Sequence, residues 1–109
     1  MYEYNAFVTK VYDGDTITVD VDLGLGVWKR GQKIRLAGID APEIRGEERE
    51  AGLVSRDRLR ELVLDKFVTI KTYKDKKGKY GRWIADVIVE GNLVNETLVL
   101  EELAKIYGE

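Results

Sequence analysis

A run of alternating side chains constrains this fold most strongly. From Ile17 to Asp22, β-branched apolar residues alternate one for one with polar residues. Because successive side chains of a strand point to opposite faces, this run predicts a strand with one buried face and one solvated face. The rest of the chain has to supply partner strands that cover the apolar face.

Other segments repeat the strand pattern. β-branched and aromatic residues predict strands over residues 4–12, 33–39, 66–73 and 83–89, with a short one at 93–94. Asp13-Gly14 indicates a tight turn between the first two strands. The apolar segment Leu23–Trp28 predicts the tip of a long hairpin, with Gly31 at its closing turn.

Two helical segments interrupt the strands. Acidic residues at 47, 48 and 50 precede a segment in which Leu59, Leu62 and Val63 have helical spacing. Asn95-Glu96 is predicted to open a last helix, whose apolar face is Val99, Leu103 and Ile106. This order favours an α+β fold in which about five short antiparallel strands form a closed barrel of the oligonucleotide-binding type. At 109 residues we expect a single domain over 1–109.

The composition excludes whole classes of chemistry. The chain has no cysteine and no histidine. Disulfides, thiolate zinc sites and serine–histidine hydrolases are therefore excluded in their usual forms. Acid–base chemistry has to come from carboxylates, lysine, tyrosine or arginine. No apolar run suggests a membrane span and no signal peptide is evident, so a cytoplasmic protein is favoured over a processed secreted one.

Charge is distributed unevenly along the chain. The net charge is −2, yet residues 71–82 carry six basic side chains against one acid. Such a stripe can steer a polyanion to one site on an otherwise acidic protein. The alternative is a solvated hairpin loop whose lysines contact nothing.

Two aspartates are candidate metal ligands. Asp15 opens one predicted strand and Asp40 ends another, so the two carboxylates meet if those strands pair. Neighbouring carboxylates need a cation, and their oxygens select hard ions such as Ca²⁺ or Mg²⁺. Pro42 favours an extended Ala41, whose carbonyl can serve as a third oxygen ligand. Taken singly, each aspartate is better explained as part of an ordinary turn or a loop cap.

Three further charged residues suggest attack on a phosphodiester. Glu43 can accept a proton from water, although a surface glutamate or helix cap is the common alternative. Arg35 and Arg82 can grip a phosphate with paired hydrogen bonds, the alternative being surface ion pairs. Arg35 lies five residues before Asp40, so a regular strand would place their side chains on opposite faces. They share a site only if the strand twists, bulges or ends before Asp40.

Lys79 and Tyr80 are candidates for nucleotide contact. The tyrosine can stack on a base while the lysine meets a phosphate. A loop tyrosine half-packed on the barrel explains the pattern equally well.

These motifs together resemble the staphylococcal (micrococcal) nuclease, or thermonuclease-like, family. The resemblance runs from about Val8 to Lys105. It is carried by four segments in the family's order: Asp13-Gly14-Asp15-Thr16, the stretch from Arg35 to Glu43, Lys79-Tyr80-Gly81-Arg82, and Leu93 to Lys105. It implies a five-stranded barrel of the oligonucleotide-binding type and Ca²⁺-dependent cleavage of DNA and RNA that leaves 3′-phosphates.

The resemblance also implies a role for each candidate residue. The metal positions are Asp15, Asp40 and, through its main-chain oxygen, Ala41. The catalytic positions are Glu43 as general base and Arg35 and Arg82 as phosphate-binding arginines. The nucleotide-binding positions are Lys79 and Tyr80. The chain ends soon after its second helix, so we expect the family's third helix to be missing.

Three hypotheses follow for the function. The first is a metal-dependent nuclease acting on single-stranded or frayed nucleic acid, with Ca²⁺ as cofactor and Mg²⁺ as the alternative ion. The second is a non-catalytic nucleic-acid-binding module, since this type of barrel also serves binders that do no chemistry. The third, compatible with the first, is self-association through the apolar tip Leu23–Trp28.

Overall fold

The computed structural model describes residues 2–73 and 82–107. The elements, in chain order, are β1 (Tyr2–Asp13), β2 (Thr16–Gly24), β3 (Val27–Leu36), β4 (Ile39–Asp40), a 3₁₀ turn (Gly46–Glu48), α1 (Arg49–Val63), β5 (Phe67–Tyr73), β6 (Arg82–Val89), β7 (Asn92–Leu93), α2 (Val94–Leu100) and β8 (Lys105–Ile106). Neither α-helix in the described ranges has the length and apolarity needed to cross a bilayer.

Five strands close into a barrel. β1 pairs with β2 and β5, β2 pairs with β3, and β5 pairs with β6, all antiparallel. The ring is completed by β3 and β6, which run parallel from Lys33–Arg82 to Leu36–Ala85. The predicted five-stranded barrel with two helices is therefore confirmed. The expectation of antiparallel strands throughout is corrected at this closing pair, so the sheet is mixed.

The core lies inside the barrel and beneath α1. Ile17 and Val19 of β2 are fully buried, as the alternation predicted, while Leu59 and Val63 of α1 are fully buried against the strands. Burying one aliphatic side chain of this size stabilises a fold by about 1.5–3 kcal/mol. The apolar face of α1 therefore fixes the helix on the barrel and, with it, the loop from residue 41 to 48 that precedes the helix.

The last helix is shorter than its apolar spacing predicts. α2 ends at Leu100, and the backbone turns away through Glu102, which has a left-handed φ of 61°. Leu98 is fully buried, whereas Ile106 lies in β8 and is exposed. The prediction that the helical face continues to Leu103 and Ile106 is therefore wrong.

The β2–β3 hairpin closes earlier than predicted. Leu25 and Gly26 form a two-residue turn, and both have positive φ angles, 56° and 76°. Gly31, predicted to be the closing turn, instead lies in a bulge of β3 opposite Asp20. The Asp20 carboxylate accepts a hydrogen bond from the Gly31 N–H at 3.0 Å. The prediction for Gly31 is wrong because the glycine serves a bulge within the strand, where φ is 70°.

The hairpin tip is apolar and exposed. Leu25 is fully exposed, and Leu23, Val27 and Trp28 each expose more than a third of their surface. The tip predicted at Leu23–Trp28 is present as a turn flanked by two strand ends. Self-association through it stays a prediction.

Candidate functional site

The sequence-predicted residues converge on one groove. It has a volume of about 700 Å³ and lies over the outer faces of β1, β2 and β3 and the loop after β4. Its walls include Asp15, Arg35, Asp40, Ala41, Glu43 and Arg82. These are six of the eight site residues that the sequence suggested. The other two, Lys79 and Tyr80, lie outside the described residues.

Asp15 is the buried anchor of the groove. The residue is only 4% exposed. Its Oδ2 accepts a hydrogen bond from the Ala41 N–H at 2.9 Å and lies 3.1 Å from Nη1 of Arg35. Its Oδ1 accepts a hydrogen bond from the Thr16 hydroxyl at 3.1 Å. Since a buried polar group needs hydrogen-bonding partners, these contacts satisfy the Asp15 side chain and fix its orientation.

Arg35 contacts both Asp15 and Asp40 because β3 ends before the chain reaches Asp40. β3 stops at Leu36, and Gly38, with φ of 72°, turns the chain before β4 begins. Nη2 of Arg35 then lies 3.6 Å from Oδ1 of Asp40 and donates a hydrogen bond to the Ile39 carbonyl at 3.0 Å. The odd sequence separation would have kept Arg35 and Asp40 apart on an unbroken strand. One guanidinium therefore brings both carboxylates to one place.

Tyr107 covers the same guanidinium. The Arg35 Cζ lies 5.2 Å from the centre of the Tyr107 ring, within the range of a cation–π contact. The Tyr107 N–H also donates to the Gly38 carbonyl at 2.8 Å, which holds the tyrosine beside the turn. No sequence motif indicated Tyr107. The residue reaches this place because the short strand β8, just before it, pairs with β4 at Ile39.

Asp13 is a further carboxylate in this groove. Its Oδ1 accepts a hydrogen bond from the Asp15 N–H at 3.1 Å. Burial, followed by the charge of Asp15, raises the pKa of Asp13 from 3.8 to about 6. Sequence reasoning treated Asp13 only as part of a turn. Burial is the larger cause of this raised pKa and the neighbouring charge of Asp15 the second, and a cation bound nearby would oppose both.

The oxygen donors fit a hard divalent cation held by few protein ligands. Asp15, Asp40 and the Ala41 carbonyl supply only oxygen, the ligand atom that Ca²⁺ and Mg²⁺ prefer. Within residues 2–73 and 82–107, no three acidic side chains gather as a ready-made metal cage. A site with one or two carboxylates leaves its other positions to water and to substrate phosphate, which is common for Mg²⁺.

Glu43 is positioned by close packing of its backbone on α1. The side chain is exposed in the groove, and its N–H donates to the Glu48 carboxylate at 3.2 Å. Gly52, in the first turns of α1, has no side chain, and a Cβ there would overlap the Glu43 carbonyl and lie 2.9 Å from the Ile44 nitrogen. The absence of a side chain at Gly52 therefore lets the Glu43 loop lie directly on the helix.

We expect Gly52→Ala to destabilise the fold by about 1–3 kcal/mol, the usual cost of overpacking a tight contact. The sign of the change in the free energy of unfolding distinguishes a close contact from an ordinary helix position, because glycine to alanine inside a helix usually stabilises by about 0.5–1 kcal/mol. Urea unfolding measures the change. Val54→Ala, an exposed site on the same helix, is the control and should shift stability by no more than about 0.5 kcal/mol. A Gly52→Ala protein more stable than the wild type would contradict the close packing.

Comparison with known proteins identifies the family. Residues 33–109 match the family described as staphylococcal nuclease homologue. The chain belongs to the staphylococcal nuclease family. The match contains Arg35, Asp40, Glu43 and Arg82, while Asp15 precedes it.

Individual relatives extend the similarity to most of the chain. A thermonuclease of Staphylococcus hyicus is 32% identical over 101 residues, covering 90% of this chain and 56% of that protein. A thermonuclease of Staphylococcus intermedius is 29% identical over the same coverage. An uncharacterized 38.1 kDa protein of Capnoides sempervirens is 32% identical over 78 residues, 22% of its length. The chain thus spans about half the length of the two thermonucleases.

Proposed function

We propose that this protein is a metal-dependent nuclease that hydrolyses phosphodiester bonds of DNA or RNA. The observation that carries the proposal is the joining of Asp15 and Asp40 by the Arg35 guanidinium, in a groove that also contains Glu43 and Arg82. Membership of the staphylococcal nuclease family and similarity to two thermonucleases support the same reaction class.

The carboxylates would hold the cation. Asp15 and Asp40 supply charged oxygens, and Ala41 supplies its carbonyl oxygen. Ca²⁺ is the proposed ion, with Mg²⁺ as the alternative, since both take oxygen ligands. Bound there, the cation would act as a Lewis acid toward phosphate oxygen and would offset negative charge.

The chain's own side chains perform the remaining chemistry. Glu43 accepts a proton from the attacking water as the water oxygen bonds to phosphorus. The bond from phosphorus to the 5′ oxygen breaks, and that oxygen takes a proton from solvent water and leaves as a hydroxyl, while Glu43 returns its proton to solvent. The phosphate therefore stays on the 3′ side. Arg35 and Arg82 hold the non-bridging oxygens and stabilise the charge that grows on them.

Arg35 is suited to this task by how firmly it is held. Its side chain is 19% exposed and contacts Asp15, the Ile39 carbonyl and the ring of Tyr107 at once. A donor fixed before the reaction needs no reorganisation when charge develops, which is the condition for strong electrostatic stabilisation.

Digestion assays test the proposal. We expect labelled single-stranded DNA or RNA to be cut when Ca²⁺ or Mg²⁺ is present and to stay intact when a chelator replaces the ion. The released ends should carry 3′-phosphates. Binding of both nucleic acids without cleavage under each ion would overturn the proposal and favour a non-catalytic binding module.

A further inference from the structure

Two lysines extend the groove away from the carboxylates. Lys10 of β1 and Lys33 of β3 both line it. Each is the direct cross-strand neighbour of Thr18 on β2, and Lys33 is in turn paired with Arg82 of β6. Because neighbouring strands lie about 4.8 Å apart, the two lysines and Arg82 form a row of cations across four strands.

A β-bulge turns Lys10 toward this groove. Val8 and Val11 both face the core although they are three positions apart, and the register of β1 shifts between Val8 and Lys10. On a regular strand Lys10 would share the core face with Val8. The extra residue, Thr9, reverses the phase and places Lys10 on the outer face, the kind of re-aiming that bulges perform beside active sites.

Neither lysine is neutralised by the described part of the chain. Lys10 and Lys33 are exposed, and no ion pair or hydrogen bond joins either side chain to another residue in 2–73 or 82–107. Two arginines elsewhere in the protein are matched by acids, as in Arg30–Asp20 at 2.9 Å on the barrel and Arg58–Glu101 at 2.8 Å between the helices. Lys10 and Lys33 therefore present positive charge, without an ion-pair partner among the described residues, to whatever occupies the groove.

We infer that Lys10 and Lys33 form a second phosphate subsite, for a phosphate of the substrate strand next to the one being cleaved. The inference rests on the proposed nuclease function and names its substrate class: a single polynucleotide strand with phosphates beyond the scissile one. Lys33 lies two residues before Arg35, so the two share a face at a separation of about 6.7 Å along the strand. That separation suits successive phosphates of an extended strand, and the Thr18 hydroxyl between the lysines adds a donor.

The test compares oligonucleotides of two lengths. Fluorescence anisotropy in chelator measures binding of a labelled thymidine decanucleotide to the wild type, Lys10→Gln, Lys33→Gln and the double variant over a range of salt concentrations. We expect the double variant to flatten the slope of log Kd against log salt by about 1.4, since each cation contact to a single strand contributes about 0.7. Lys71→Gln makes the same charge change on β5, outside the groove, and serves as the control.

Turnover with Ca²⁺ supplies the second arm. The loss of kcat/KM in the double variant should appear in KM and should be several-fold larger on the decanucleotide than on a thymidine dinucleotide with one phosphodiester. Equal losses on both lengths, or a binding slope no different from that of Lys71→Gln, would overturn the subsite. If the wild type binds the decanucleotide without cutting it, the nuclease proposal fails while the salt slope still decides the role of the lysines.

Discussion

Glu43→Gln is expected to lower turnover by about 10²–10⁴-fold, the usual contribution of a positioned general base. The amide keeps the size of the side chain but cannot take the proton from water. Because the Glu43 side chain is exposed and the bond to Glu48 comes from the backbone N–H, the fold should be unaffected. The measurement is the rate of cleavage of a labelled single-stranded oligonucleotide at saturating Ca²⁺, with circular dichroism to confirm the fold.

A neighbouring glutamate provides the control for this result. Glu47 is exposed in the 3₁₀ turn and is absent from the walls of the groove. Glu47→Gln makes the same chemical change within the same loop and should cut at nearly the wild-type rate. Equal rates for Glu43→Gln and Glu47→Gln would remove Glu43 from the role of general base.

Arg35→Lys should lower turnover by about 10²–10³-fold, the range seen when one donor to a developing oxyanion is lost. Lysine keeps the charge but cannot contact Asp15 and the Ile39 carbonyl together, nor present two parallel donors to a phosphate. Stability should fall as well, by roughly 1–3 kcal/mol, because the Ile39 carbonyl and part of the Asp15 carboxylate lose a partner in a mostly buried place.

Arg30→Lys is the control for this prediction. It makes the same chemical change at an arginine outside the groove. Arg30 pairs with Asp20 at 2.9 Å, yet its side chain is 70% exposed. An exposed pair of this kind contributes about 0.2–1 kcal/mol, so the change should cost little stability and no turnover. If Arg35→Lys cuts as fast as Arg30→Lys, the two-pronged grip on phosphate is not what Arg35 provides.

The strands were predictable wherever one face is buried. The one-for-one alternation from Ile17 to Asp22 matches the period of a strand and not that of a helix, and the structure places its apolar residues in the core. The parallel pairing of β3 with β6 was not predictable, because strand periodicity contains no information on which distant strand closes a barrel. The end of α2 was also missed, since Leu103 and Ile106 keep a helical spacing after the helix has ended at Leu100.

The candidate site residues could be named from the sequence, but their meeting in one groove could not be predicted. Asp15, Asp40 and Glu43 are residue types suited to metal and proton chemistry, and the motifs marked them. Their meeting depends on Gly38, which turns the chain after β3, and on Gly52, which admits the Glu43 loop. A glycine in a sequence does not show whether it provides a turn, a bulge or a close contact.

The calcium dependence of cleavage tests the central claim most directly: that the carboxylates and arginines of this groove form one metal and phosphate site. Turnover of a labelled single-stranded oligonucleotide is measured in chelator and then at increasing free Ca²⁺. We predict no cleavage in chelator, a saturable rise with Ca²⁺, and a shift of that rise to higher Ca²⁺ in Asp40→Asn. A rate in chelator equal to the rate in Ca²⁺, or an Asp40→Asn protein with an unchanged calcium dependence, would contradict the claim.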